Sequence, residues 1–195
     1  MKQRHFNIHS IRLRQVLLGP LLVMVCALGV GVPSVGAESS PTEHEVKAAF
    51  IFYFAKFTSW PDSTFKNPKD PFVIGYFGED PVVPALLNLI DGKSVAQHPF
   101  ELRKINADSE LSDLNILYIS PSKRKLADEV LDSVQGTSIL TISAMEGFIP
   151  SGGIVNFFIR NNRVRFDVNV EGGKEAGLEF RSKLLRIAAN TERSE

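Results

Sequence analysis

Phe72-Val-Ile-Gly-Tyr-Phe77 is a near-continuous apolar run bounded by Pro71 and by Gly78-Glu79-Asp80-Pro81. A short run with no polar alternation is the pattern of a strand buried on both faces, which is typical of parallel sheets covered by helices. The segments after it follow the same grammar. Pro81 to Ile90 reads as a helix closed by Asp91-Gly92, Phe100 to Ile105 as an alternating strand, and Leu114 to Ile119 as a second buried strand. Lys123 to Val134 reads as a helix ending at Gly136, and Ser138 to Ile142 as a further strand. The order strand, helix, strand, strand, helix, strand predicts an α/β fold: a layered sandwich with a mainly parallel sheet flanked by helices.

Toward the C-terminus the pattern changes. Ile154 to Ile159 and Arg163 to Val170 flank Asn161-Asn162, a pair that tolerates the positive φ angles of a two-residue turn, so an antiparallel hairpin is expected. The turn fixes the register: Arg160 faces Arg163, Phe158 faces Arg165, Phe157 faces Phe166 and Asn156 faces Asp167. Val155, Phe157, Ile159, Val164, Phe166 and Val168 then share one side. Asn156, Phe158, Arg165, Asp167 and Asn169 share the other. A short helical stretch before Gly177 and a helix from Ser182 to Ala189 close the chain.

Toward the N-terminus, Val46, Ala49, Phe50, Tyr53 and Phe57 mark an amphipathic helix from Glu43 to Phe57. Ile51, Phe52 and Phe54 widen its apolar stripe, Trp60 follows, and Pro61 ends the segment. A helix this apolar is a core element, or part of it is an association surface. On the second reading Phe54 and Trp60, off the main stripe, are the contact residues.

The first 37 residues read as an export signal, with Lys2, Arg4, Arg12 and Arg14 before an uncharged stretch from Val16 to Val32, and Val35-Gly36-Ala37 as the cleavage pattern. The expected mature chain, 38–195, is one domain of ordinary size in the periplasm. The leader takes four of the 22 basic residues and none of the 22 acidic ones, so the mature chain is mildly acidic and has no basic footprint for nucleic acid. The single cysteine, Cys26, lies in the leader, which excludes thiol catalysis, disulfides and thiolate metal sites from the mature protein.

Enzymatic signatures are scarce. His44 and His98 sit in different elements without metal-ligand spacing, no G-x-S-x-G elbow is present, and Ser151-Gly152-Gly153 precedes a strand rather than an anion-binding helix N-terminus. No enzyme activity, metal or cofactor is expected. The concentrated polar group is Asn156, Arg165, Asp167 and Asn169. It is either a solvated sheet face with an Arg165–Asp167 pair or a surface for a partner or ligand, with Arg165 binding a carboxylate or phosphate.

Two segments together resemble the YfiR-like periplasmic family: Glu45 to Pro61, and the set Ser151 to Phe157, Asn162 to Asn169, Ala176 to Leu178 and Ser182 to Ala188. Phe72 to Gly78 and Asn115 to Ser120 follow the same order. The resemblance implies a dimeric, non-catalytic repressor that binds the periplasmic sensor domain of an inner-membrane diguanylate cyclase, lowering cyclic-di-GMP and biofilm formation. It also implies an outer-membrane lipoprotein as antagonist. The family's characterised type carries disulfides, which this chain lacks, so redox control is not expected here. The alternative is a periplasmic small-molecule sensor, with a pocket at the strand ends, coupled to a membrane receptor or kinase.

Overall fold

Thr42 starts the first helix with a reciprocal cap: its hydroxyl accepts from Glu45 N, while the Glu45 carboxylate accepts from Thr42 N at 2.7 Å. Helix α1 runs Glu43–Phe57 and continues into a two-residue strand β1 (Thr58–Ser59). The computed structural model describes residues 40–192, and the expected leader and its cleavage site lie outside them. The chain proceeds through β2 (Phe72–Phe77), α2 (Val82–Ile90), β3 (Ser94–Val95), β4 (His98–Ile105) and β5 (Ile116–Ile119). A 3₁₀ segment (Pro121–Leu126) leads into α3 (Ala127–Ser133), then β6 (Leu140–Ser143), β7 (Val155–Arg160) and β8 (Arg163–Val168). Finally come α4 (Val170–Glu175), β9 (Glu179–Phe180) and α5 (Ser182–Glu192).

Seven strands form one sheet in the order β3-β4-β2-β5-β6-β7-β8, and β1 pairs with β9 separately. Neighbours from β4 to β7 are parallel, while β3 and β8 are antiparallel to theirs. This is the expected α/β sandwich with a C-terminal hairpin. The chain first steps from β2 outward to β4, then reverses and builds β5, β6 and β7 on the other side of β2. Right-handed crossovers that travel in opposite directions place their helices on opposite faces. Accordingly α2 packs into the core shared with α1 and α5, and α3 into the core beneath the other face. Strand β2 serves both: Phe72 and Ile74 enter the first core, Val73 and Phe77 the second.

The buried stripe of α1 differs from the expected one. Ala48, Ile51, Phe54 and Ala55 face inward, whereas Tyr53, placed on the core stripe by spacing, is 49% exposed. Apolar residues surround almost the whole helix, so spacing alone does not choose which side meets the sheet. Phe50 and Phe52 then pack sideways, against Phe166 at 5.0 Å and Phe100 at 5.6 Å.

Candidate functional site

The Asn161-Asn162 turn adopts φ of 50° and 57°, the left-handed pair a two-residue hairpin needs. Every predicted cross-strand pair forms, from Arg160 opposite Arg163 to Asn156 opposite Asp167. On one side, Val155, Phe157, Val164 and Phe166 are buried against α1 and α5, while Ile159, nearest the turn, is exposed. On the other side the strands present Asn156, Phe158 and Arg160, then Arg163, Arg165 and Asp167, all half-buried or exposed. Three guanidinium groups and one carboxylate therefore share a polar sheet face. Arg160 lies over the Phe158 ring at 6.0 Å, and Arg165 forms no ion pair among the described residues. Asn156 Oδ1 is shielded from solvent without a hydrogen-bond partner among them.

Asn169 does not belong to this face. It caps α4, its Oδ1 accepting from Gly172 N at 2.9 Å, because the chain leaves the strand at this residue. Phe54 is corrected more strongly: at 1% exposure, its ring stacks on Phe157 and meets Phe166 edge-on at 4.9 Å, which removes it from any association surface. Trp60 is half-buried, set edge-to-face on Phe72 at 4.9 Å, with Nε1–H donating to Asn115 O. Both are aromatic anchors of the core. The sheet instead groups Arg160 and Arg163 with Arg165. Their signal was the register itself, which puts both beside the turn on the polar side.

In doubly wound sheets ligands sit outside the carboxyl ends of the strands where growth reverses, here between β2 and β5. That position is filled by the protein. Ser120 Oγ donates to Glu79 O at 2.9 Å, and Asp80 accepts from Tyr118 OH at 2.8 Å and from Val82 N at 2.9 Å. Gly78, at φ +95°, brings the loop so close that a Cβ would lie 2.7 Å from Ser122 Oγ. Burial, reinforced by the Asp80 carboxylate, pushes the Tyr118 hydroxyl pKa upward, so the phenol stays protonated and donating.

Among the described residues, no three His, Cys, Asp or Glu side chains come together as metal ligands. Residues 44–189 match the family described as YfiR/HmsC-like. The chain belongs to the YfiR/HmsC-like family. Proteins of this family are periplasmic regulators rather than enzymes. No curated protein matches the chain.

Proposed function

We propose that this YfiR/HmsC-like protein is exported, cleaved after Ala37, and acts as a single periplasmic domain, 38–195, that represses an inner-membrane diguanylate cyclase by binding its periplasmic sensor domain. The observation that carries this reading is the β7–β8 face. Its three arginines stand against one aspartate on a mature chain with 18 basic and 22 acidic residues. Such local reversal of charge favours an acidic partner surface, which guanidinium groups bind through paired hydrogen bonds. Family membership supplies the regulatory context.

Arg165→Ala tests it. The expected result is raised cyclic-di-GMP in cells carrying the variant, with a thermal melt within about 0.5 kcal/mol of wild type, as for surface substitutions generally. Full repression by the variant would refute the assignment of this face. Mass spectrometry of periplasmic extract should find a chain beginning at Glu38. Self-association belongs to the same proposal, now through the outer surface of α1 and α2, where Tyr53 and Leu87 are exposed, rather than through Phe54. Light scattering of Tyr53→Glu checks this: the variant should lose dimer while keeping its fold.

A further inference from the structure

The amino ends of β2, β5 and β6 border a cleft of about 500 Å³, walled on its outer side by the Asp62–Pro71 connection. The wall is preformed: Phe65 stacks on His98 at 3.7 Å, His98 Nδ1 lies 2.7 Å from Asp70 O, and the Asp70 carboxylate accepts from Asn67 N at 2.8 Å. Three side chains lining the cleft have unused hydrogen-bond donors. Asn115 is 2% exposed and spends its Oδ1 on Val73 N at 2.7 Å, leaving the amide NH₂ without an acceptor among the described residues. The Thr64 hydroxyl is buried with no partner among them. Lys66 forms no ion pair among them either.

The acids at the cleft are occupied, Asp113 by Arg103 at 2.7 Å and Asp70 by Asn67. Uncommitted donors beside committed carboxylates select an acceptor-bearing ligand of low charge, since a phosphate dianion would meet two carboxylates at the rim. Phe65, Leu114 and Ile139 supply apolar wall for the ligand's body.

We propose that this cleft binds a small monocarboxylate with an apolar body, its carboxylate taken by the donors of Asn115, Thr64 and Lys66. The site is separate from the β7–β8 face and shares no residue with it. It lies at the opposite strand ends from the filled reversal point.

Phenylacetate is a suitable probe, with uncharged 2-phenylethanol and inorganic phosphate as controls, titrated into the mature protein purified from periplasm and followed by calorimetry and amide NMR. The expected result is saturable phenylacetate binding that shifts the Asn115 side-chain amide signals, with 2-phenylethanol about tenfold weaker and phosphate weaker than phenylacetate. Thr64→Val, which removes the buried hydroxyl in favour of an isostere, and Lys66→Gln, at an exposed position, should each weaken phenylacetate binding about tenfold while the melt is retained. No saturable binding at millimolar phenylacetate would overturn the proposal, as would binding indifferent to both substitutions or a preference for phosphate.

Discussion

Phe54→Ala should cost about 3–5 kcal/mol of folding stability, because it empties a ring-sized volume between α1 and the two phenylalanines of the hairpin. Denaturant unfolding measures this directly, and a loss below about 1 kcal/mol would show that the ring is not held in the core. Asn169→Ala should cost about 1 kcal/mol, the ordinary value of a lost N-cap, without altering partner binding. A binding defect with an unchanged melt would return Asn169 to the recognition face. Neither role was legible from residue type. An Asn after an alternating strand reads as one more polar position, and a short helical stretch expected before Gly177 does not by itself say which residue caps it. Phe54 falls off the spacing-derived stripe only because that stripe was drawn on a helix apolar on nearly every side.

The β7–β8 hairpin was the most readable element, since a two-residue Asn-Asn turn fixes every cross-strand pair at once. It also makes a local prediction. Asn162 sits at φ 57°, where a β-branched residue is strained, so Asn162→Val should lose about 1–2 kcal/mol while Asn162→Gly retains or raises stability. Equal melts for the two variants would contradict the left-handed turn. The short pairings were illegible for the opposite reason. In β3, two residues turn back on β4 through Ala96 and Gln97, both at positive φ, where sequence offers no Gly or Asn. Strands β1 and β9, joined Thr58 to Phe180 and Ser59 to Glu179, are too short for any alternation to register. The 3₁₀ segment before α3 likewise shortened a helix expected from Lys123, because Lys123 itself is non-helical at φ −106°, ψ 16°.

At the scale of the molecule, the alternation of apolar runs and helices pointed to a parallel sheet, but not to where growth reverses, since strand order depends on contacts between distant segments. That reversal buries Tyr118 beside Asp80, and the pair makes stability depend on pH in a predictable sense. The folded-state pKa of Tyr118 is raised, by burial first and by Asp80 second, above the value of about 10 for an unfolded tyrosine. Its contribution is thus complete below about pH 10 and declines as pH rises further, because the unfolded chain releases the proton and the folded chain holds it. The acid side works oppositely. Glu43, lowered chiefly by its hydrogen bond from Lys47, contributes above the unfolded carboxylate range and loses that contribution as pH falls through its folded pKa. Its carboxylate is half exposed, so solvent screening keeps that limb shallow. Chemical denaturation across pH should therefore show a gentle acid decline and a steeper alkaline one. Tyr118→Phe should cost about 1 kcal/mol at neutral pH through the lost hydrogen bond, and should flatten the alkaline limb. An unchanged alkaline slope in Tyr118→Phe would mean that other groups govern base unfolding and that the phenol at the reversal point is not the controlling proton.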